Sequence, residues 1–541
     1  MVPAKRKGAE EGRIGITVES GSIKRQTETS IQGHFEVRMR ATSAPDNQAR
    51  SLRRESAAAG FLPAIEAPSP VPAVRQLYLQ LRNGIVAGRL QAGHRLPSTR
   101  TASREWSLSR GLIAESYDML IAEGYAVGRH GSGTYVASGL PPIPIGTGDG
   151  RKAVPGGDSR AVSTAARLAM HIGTALPLQA PFTTGRVIHD IKTASLLKRL
   201  TLRHLDYTRD GYRDPQGEET LREAIAAHLI ASRGVRCEPG QVFITSGTQQ
   251  ALDLTVRLLA SPGQTVLVED PCYPPARQAF AFNGARLGGL PVDRDGLITQ
   301  TLETYDGPQP AAVYVTPSHQ YPSGSALPLA RRLQLLSFAQ QRGCWIIEDD
   351  YDSEFRYDGR PITSLQGLDA TDRVIYLGTF SKALLPGIRV GYLIVPGDLV
   401  AAFRAARPII DRFPAPLHQR VVADFLNEGY FPAHLRRLRE RYRASRDFLA
   451  RLLNERLSEH LIAPLPEQGI HFTVCSTGTW TDDRAVAAAA LEEGVVVLPV
   501  SPMCVSAAIE PKLLLGFSGL TDEEADIGTR RLSRVFARLA L

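Results

Sequence analysis

The chain has 541 residues, of which 43% are hydrophobic, so it is long enough for two folded domains with sizeable cores. No run of 18 apolar residues occurs, which excludes a membrane-spanning helix, and we expect no secretory signal because the basic start MVPAKRKGAEEG lacks an apolar stretch. The net charge is +8, and most of it lies in residues 1–150, which hold 19 Lys and Arg against 13 Asp and Glu. Such a basic region is typical of a protein with a polyanionic partner, although it could also serve only to keep the surface soluble.

The cysteines are scattered and include no CxxC pair. That spacing argues against a disulfide framework and against a zinc site, so we expect no metal. It suits the reducing environment of a cytoplasmic protein. The five cysteines are Cys237, Cys272, Cys344, Cys475 and Cys504.

Composition and pattern divide the chain into four parts. Residues 1–65 are polar and lack sustained periodicity, which predicts a disordered N-terminal extension. Residues 66–139 form a compact, helix-rich unit. Residues 140–165 are rich in Pro and Gly and predict a flexible linker. Residues 166–541 alternate strands and helices, which predicts a large α/β domain with a small C-terminal α/β subdomain.

The pattern of the helix-rich unit predicts three helices followed by a hairpin. An apolar stripe runs from Val74 to Ile85, a second helix follows a cap at Ser98 or Thr99, and Ser109 caps the third. Two short β runs then flank the segment RHGSG, as in a wing. This pattern is typical of a winged helix-turn-helix, although an ordinary three-helix bundle with a hairpin would show it too.

The sequence of this unit resembles the DNA-binding head of the GntR superfamily. The matching pieces are GRLQAGHRLPSTR, the Ser-Arg opening of the third helix, LIAEGY and RHGSGTYV. The resemblance implies double-stranded operator DNA as partner, with Arg100 and Arg110 as principal contacts and Ser109, His130 and Gly131 assisting. Ala114 departs from the family pattern, since many relatives have a basic residue there, and this puts the half-site sequence in doubt.

Four segments of the large domain carry residues suited to a phosphorylated, flat-ring ligand. QVFITSGTQQALDL turns from strand to helix at a Ser-Gly-Thr, where free N–H groups suit a phosphate or simply cap the helix. TVLVEDPCY ends in Tyr273, which could stack on a ring or lie in the core. CWIIEDDYDSEF ends in adjacent acids, which could pair with a ring nitrogen, bind a metal or face solvent.

The segment GTFSKALLPGIRVGY is the most informative of the four. It places Lys382 close to two hydroxyl residues and seven positions before Arg389. A lysine that forms an imine must lose its proton, and a sheltered pocket with nearby positive charge lowers its pKa. The hydroxyls and the guanidinium are well placed to hold a phosphate.

The order of these segments resembles the fold-type I pyridoxal-phosphate enzymes of the aminotransferase group, over roughly residues 166–541. The resemblance implies pyridoxal 5'-phosphate as cofactor, a Schiff base on Lys382, Asp349 at the pyridine nitrogen, Tyr351 at the ring hydroxyl and Tyr273 stacked on the ring. It implies that Tyr212 reaches the phosphate of a neighbouring subunit. The residues implied around the phosphate are Ser246, Gly247, Thr248, Thr379, Ser381 and Arg389.

A GntR-type head followed by such a domain is the layout of the MocR family of regulators. ITSGTQQALDL, TPSHQYPSG, EDDYDSEFRY and GTFSKALLPGIRVGY are similar to segments of that family. The resemblance implies a transcription regulator that senses pyridoxal phosphate or an amine or amino-acid effector through Lys382. It also implies a head-to-tail, domain-swapped homodimer.

Two departures from true aminotransferases bear on activity. Tyr321 stands where their ring-binding Asn would be, and Leu514 stands where their substrate-clamping Arg would be. Because an α-amino acid would lose the guanidinium, we expect at most weak transamination. Among MocR branches, this favours the one that senses the cofactor and controls vitamin B6 synthesis. Two alternatives stay open: an aminotransferase with a vestigial DNA-binding head, and a DNA-binding protein whose large domain only dimerises.

Overall fold

The computed structural model describes residues 61–139, 163, 165–167, 177, 179–188, 190–205 and 211–539. The chain is divided into two compact units, Met1–Gly157 and Asp158–Leu541. Most of the predicted extension (1–60) and most of the predicted linker (140–162 and 164) lie outside the described residues. Within the described ranges, no helix is long and apolar enough to cross a membrane.

The first unit is a winged helix with its own core. Its helices are α1 (Ala73–Val86), α2 (Thr99–Glu105) and α3 (Arg110–Ala122), and its wing is the antiparallel pair β1 (Ala126–Arg129) and β2 (Gly133–Val136). Ser98 and Ser109 cap α2 and α3, each accepting a hydrogen bond from a backbone N–H three residues on.

The segment 61–65 belongs with this folded unit. Phe61 packs edge-on against Trp106, with ring centroids 6.4 Å apart, and Ile65 is partly buried in the same core. Residues 61–65, which the sequence pattern assigns to the extension, therefore contribute two apolar side chains to the core of the winged helix.

The second unit is built on an eight-stranded sheet in the order β3-β10-β9-β8-β7-β4-β5-β6. The five strands from β9 to β5 are parallel, whereas β3, β10 and β6 pair antiparallel with their neighbours. The strands are β3 (Val242–Thr245), β4 (Thr265–Asp270), β5 (Arg286–Asp293), β6 (Gly296–Leu297), β7 (Pro310–Val315), β8 (Trp345–Asp350), β9 (Val374–Thr379) and β10 (Gly391–Ile394).

Helices cover both faces of this sheet. Successive residues of one strand enter different cores, as Tyr376 does on one face and Ile375 and Leu377 do on the other. The helices of this layer are α4 (Ile191–Arg203), α5 (Glu219–Arg233), α6 (Thr248–Leu259), α7 (Pro274–Phe282), α8 (Gln300–Glu303), α9 (Leu329–Arg342), α10 (Leu365–Leu368), α11 (Val400–Ile410) and α12 (Pro416–Asn427).

A smaller antiparallel subdomain completes the unit. Its sheet has the order β11-β12-β14-β13, and its helices pack on that sheet around a separate aromatic core. The elements are α13 (Tyr430–Leu457), β11 (Leu461–Ile462), β12 (His471–Ser476), α14 (Asp483–Glu492), β13 (Leu498–Pro499), β14 (Lys512–Gly516) and α15 (Asp522–Arg538).

Candidate functional site

A cavity of about 340 Å³ opens at the carboxyl edge of the large sheet. Strands β4, β7, β8 and β9 run parallel, and β3 runs the same way, so the residues that follow each of them meet at this edge. Eight of the predicted site residues line the cavity: Thr248, Tyr273, Asp349, Tyr351, Thr379, Ser381, Lys382 and Arg389.

One end of the cavity is suited to an anion. Helix α6 begins at Thr248 after Gly247, whose φ of +105° is open only to glycine. A Cβ at Gly247 would lie 3.3 Å from Arg389 Nη2, so the guanidinium rests directly against this turn. Ser246 lies beside the cavity, and its N–H donates to Gln250 Oε1 at 2.7 Å. A helix N-terminus and a guanidinium thus converge on one spot.

The turn after β9 orders the hydroxyls beside Lys382. Thr379 Oγ1 donates to Ser381 Oγ at 3.0 Å and accepts from the Ser381 N–H at 3.1 Å. Burial lowers the pKa of Lys382, while Asp352 and Asp349 oppose that change. The Lys382 amine packs directly against Gly185, whose φ is +75°, so the amine and this glycine lie on the same wall of the cavity.

Asp349 has one carboxylate oxygen with no partner. Oδ2 accepts a hydrogen bond from Tyr314 Oη at 2.8 Å, while the buried Oδ1 has no hydrogen-bond partner. Burial raises the pKa of Asp349 to about 7, and the hydrogen bond from Tyr314 opposes the rise. A buried carboxylate oxygen left without a donor is costly unless a ligand supplies one.

Aromatic rings form the walls of the cavity. Tyr273 and Tyr321 meet edge to face with ring centroids 5.2 Å apart, and Tyr321 meets Tyr351 in the same way at 6.0 Å. His471 of β12 adds a fourth ring, 5.6 Å from Tyr321. Burial lowers the pKa of His471 well below its usual value, so this ring is neutral near pH 7.

Sequence reasoning missed several residues of this site. Thr184, Gly185, Tyr314, Thr316 and His471 line the cavity, although the sequence pattern assigned them no role. His319 and Asp352 lie behind Tyr351, and both stand in segments that the motifs had marked, TPSHQYPSG and EDDYDSEF. Asp352 directly follows the predicted site residue Tyr351, and His319 lies two residues before Tyr321, where the sequence departs from the aminotransferase pattern.

Tyr212 does not reach the cavity of its own chain. Its side chain is 84% exposed and packs edge-on against Phe413, with centroids 6.0 Å apart, while Arg412 lies over the ring. Ser246 and Gly247 do not line the cavity either, but they directly precede Thr248, which does. Among the predicted residues of this site that the structure describes, Tyr212 alone is exposed and lies apart from the others.

The position of the aminotransferase clamp is apolar and closed. Leu514 lies in β14 opposite Thr473 and Leu498 and is fully buried. It packs in a cluster with Val500 and Met503. The two cations that line the cavity among the described residues are Lys382 and Arg389.

The winged helix exposes all five of its predicted DNA contacts. Arg100 is the second residue of α2, and Arg110 opens α3, directly after its cap Ser109. The Ser109 side chain accepts from the Leu112 N–H at 3.2 Å. His130 and Gly131 form the tip between β1 and β2. The start of α3 and the wing therefore present cationic and glycine-rich surface to solvent.

Two family models match the chain. The model of bacterial regulatory proteins of the gntR family matches residues 73–136, and that of aminotransferase class I and II matches residues 181–532. The probable rhizopine catabolism regulatory protein MocR of Rhizobium meliloti is 37% identical over 489 residues, covering 88% of this chain and 96% of the relative. The chain belongs to the MocR-type family of transcriptional regulators.

Other relatives extend the likeness of this MocR-type regulator. The pyridoxine biosynthesis transcriptional regulator PdxR of Corynebacterium glutamicum is 32% identical over 392 residues, covering 72% of this chain and 80% of the relative. Pyrococcus horikoshii kynurenine aminotransferase, solved in complex with PMP, has a TM-score of 0.61 and 27% identity, covering 71% of this chain and 96% of its own. The α-aminoadipate aminotransferase LysN of Thermus thermophilus, complexed with N-(5'-phosphopyridoxyl)-L-leucine, has a TM-score of 0.62 and 28% identity, covering 69% of this chain and 97% of its own.

These findings confirm the predicted family and fold class. The chain joins a GntR-type winged helix to an aminotransferase-type domain of fold-type I, and it is a DNA-binding transcription regulator. The exact domain boundaries and the roles of individual site residues stay predictions.

Proposed function

We propose that this MocR-type regulator binds pyridoxal 5'-phosphate in the cavity at the carboxyl edge of its large sheet and that occupancy of the cavity controls operator binding. The observation that carries this proposal is the buried Asp349 Oδ1, which lacks a partner in a cavity that also holds Lys382 and Arg389. A protonated pyridine nitrogen supplies the missing donor and stabilises the charged carboxylate.

The chain's own residues fit each part of this cofactor. When bound, pyridoxal phosphate supplies an aldehyde that condenses with an amine. Lys382 would offer that amine, Asp349 would pair with the ring nitrogen, Tyr351 would donate to the ring oxygen and Tyr273 would cover the ring, and all four residues line the cavity. The phosphate site is formed by Ser246, Gly247, Thr248, Thr379, Ser381 and Arg389.

The cofactor itself is the effector that the cavity favours. An amino acid would place its carboxylate where Leu514 lies among apolar side chains, and without a guanidinium it would lose about 2–4 kcal/mol of binding. Efficient transamination of amino acids is disfavoured for the same reason. Control of vitamin B6 synthesis is the regulatory role that follows, and the name of the Corynebacterium relative supports it. A small amine that exchanges with Lys382 is the second candidate effector.

The proposed assembly is a head-to-tail homodimer in the cytoplasm. The exposed Tyr212 would reach the phosphate bound by the partner subunit, which explains why it lies away from its own cavity. A ligand shifts such a dimer only if it binds two arrangements unequally, so the cofactor must favour one placement of the heads. The heads bind duplex DNA through Arg100, Ser109, Arg110, His130 and Gly131.

Lys382 gives the direct test of cofactor binding. The full chain mixed with pyridoxal phosphate is expected to show a visible absorption band, and Lys382→Ala is expected to abolish it. Lys198→Ala, which removes an exposed lysine of α4, is the matched control and keeps the band. A band that persists in Lys382→Ala would show that another amine holds the cofactor. Turnover of an amino-acid panel at about 1–1000 per second would favour the aminotransferase alternative instead.

A further inference from the structure

A buried histidine and a buried aspartate lie directly behind the wall of the cavity. His319 Nδ1 lies 3.0 Å and 2.9 Å from the two carboxylate oxygens of Asp352, and both side chains are at most 2% exposed. The same Nδ1 lies 2.9 Å from Tyr351 Oη. One ring nitrogen therefore contacts both a carboxylate and the tyrosine that faces the cofactor site.

The backbone around His319 fixes its ring in place. A Cβ at Gly469, where φ is +82°, would collide with the ring, and a Cβ at Gly324 would lie 3.2 Å from Nε2. On a third side the ring of His471 lies 5.1 Å away, tilted by 36°. This packing restricts tilting of the ring, and the Asp352 carboxylate, which contacts Nδ1 alone, keeps that nitrogen directed at Asp352 and Tyr351.

The partners of Nδ1 decide where the hydroxyl proton of Tyr351 points. Burial raises the pKa of Asp352, while the charge and the hydrogen bond of His319 oppose the rise. The carboxylate that His319 stabilises in this way only accepts hydrogen bonds, so Nδ1 carries the proton that it shares with Asp352. A protonated Nδ1 cannot accept from Tyr351, so the tyrosine oxygen accepts there and its own proton is free to point into the cavity. A hydroxyl that accepts a hydrogen bond becomes a stronger donor.

We propose that His319 and Asp352 are positioning residues that hold Tyr351 as a hydrogen-bond donor to the ring oxygen of the bound cofactor. The inference rests on the proposed function, since it needs pyridoxal phosphate in the cavity. It assigns the dyad of His319 and Asp352 a task that the sequence pattern did not reveal, because neither residue lines the cavity and both act through Tyr351, which does.

Several other titratable groups surround Tyr351 and set the background of any titration. Their charges affect the pKa of Tyr351 or of its neighbours, and they lie at the ends of β4, β8 and β9, in β12 and in the loop after β7. These groups are Glu269, Asp349, Lys382, His471 and Tyr321.

The pH midpoint of the cofactor's visible band tests the proposal. That band belongs to the form in which the lysine-derived nitrogen holds a proton beside the anionic ring oxygen. A hydroxyl that donates to this oxygen stabilises the form in which the lysine-derived nitrogen has lost its proton. Removing the hydroxyl therefore raises the pKa of that nitrogen and moves the midpoint of the band to higher pH. Tyr351→Phe is expected to raise the midpoint by about one pH unit, the size of one hydrogen bond to a charged oxygen.

Variants of the dyad should move the midpoint in the same direction through Tyr351. His319→Leu removes the donor and is expected to raise it nearly as much as Tyr351→Phe, whereas His319→Asn keeps an N–H near the Nδ1 position and rescues part of the shift. Asp352→Asn raises it as well and serves as a second probe if His319→Leu fails to fold. In the double variant Tyr351→Phe/His319→Leu, the shift is no larger than in Tyr351→Phe alone, because both changes remove one interaction.

The control variant is His228→Asn, which changes a partly buried histidine that packs against Phe431 and is expected to leave the midpoint unchanged. The remaining outcomes distinguish a failure of this inference from a failure of the proposed function. If Tyr351→Phe moves the midpoint but His319→Leu and Asp352→Asn do not, or if the shifts add in the double variant, the dyad does not act through Tyr351. If the unmodified chain never shows the band, the proposed cofactor site itself is wrong.

Discussion

Gly247 shows how a single residue shapes the anion end of the cavity. Its φ of +105° and ψ of +175° lie in a region essentially limited to glycine, and Arg389 rests against it. Arg389 is itself in the left-handed region, with φ of +51°, which costs a non-glycine residue about 1–3 kcal/mol, and it contacts Gly247 at the proposed phosphate site. Strain retained at such a spot is typical of a site that is organised before its ligand arrives.

Gly247→Ala should therefore weaken cofactor binding more than it unfolds the chain. The new methyl group imposes strain of about 1–3 kcal/mol and pushes on Arg389, so we expect the Kd for pyridoxal phosphate to rise about 10- to 100-fold. Absorbance titration measures it. Gly240→Ala is the control, because a Cβ there meets nothing within 4 Å. Equal Kd values for the two variants would contradict a phosphate site at this turn.

At the residue scale, sequence reasoning found the positions that follow strand ends and missed those that depend on long-range contacts. Asp349 and Lys382 could be placed because a buried strand runs into each of them. His471 comes from β12 of the smaller subdomain and meets His319 from a loop about 150 residues earlier. No local sequence pattern predicts this contact, because it forms only when the two sheets pack against each other.

At the scale of elements, the recognition helix illustrates both success and error. The Ser109 cap and the buried positions Ile113, Tyr117 and Leu120 agree with the apolar pattern. Ile121, which falls on the same apolar stripe as these residues, is instead 38% exposed, while Ser116 is buried. Ser116 Oγ donates to the carbonyls of Leu112 and Val74, so a hydroxyl fills a core position where the helices lie close together. Periodicity alone cannot distinguish a polar residue satisfied in this way.

The exposed start of this helix carries the DNA-binding prediction. Arg110→Ala should lower operator affinity about 10- to 100-fold and reduce the salt dependence of binding, because one cationic contact is lost. Arg75→Ala is the matched control, since Arg75 in α1 lies over Tyr78 and 3.8 Å from Glu123. Titration of DNA from upstream of the chain's own gene, at two salt concentrations, measures both effects. A Kd for Arg110→Ala equal to that of the control would exclude this helix as the reading element.

The exposed Tyr212 raises a question at the scale of the whole molecule. If it completes the site of the partner subunit, Tyr212→Ala and Lys382→Ala each damage both sites of a homodimer. A mixed dimer, formed by co-expression of the two variants, contains one intact site, because Lys382 of one chain meets Tyr212 of the other. We therefore expect purified mixed dimers to bind cofactor tightly at half occupancy, measured by absorbance. Binding no tighter than in Tyr212→Ala homodimers would place Tyr212 outside the site.

The division of the chain into a small DNA-binding head and a large α/β unit could be predicted, because composition and the order of the motifs both indicate it. A basic, helix-rich head and a long alternation of strands and helices correspond to the winged helix and the eight-stranded sheet. The start of the folded head was less predictable, since Phe61 and Ile65 sit in a polar segment and become structural only through Trp106 and its neighbours.

In the proposed regulator, cofactor binding in the large unit changes DNA binding by the winged helix, and operator affinity with and without cofactor tests this coupling most directly. The Kd of the full chain for its upstream DNA should change by about 5-fold or more when pyridoxal phosphate saturates the visible band, within the usual range of coupling between sites. Lys382→Ala should show the same Kd in both conditions. An unmodified chain whose band is saturated but whose operator Kd does not change would contradict a cofactor-responsive regulator.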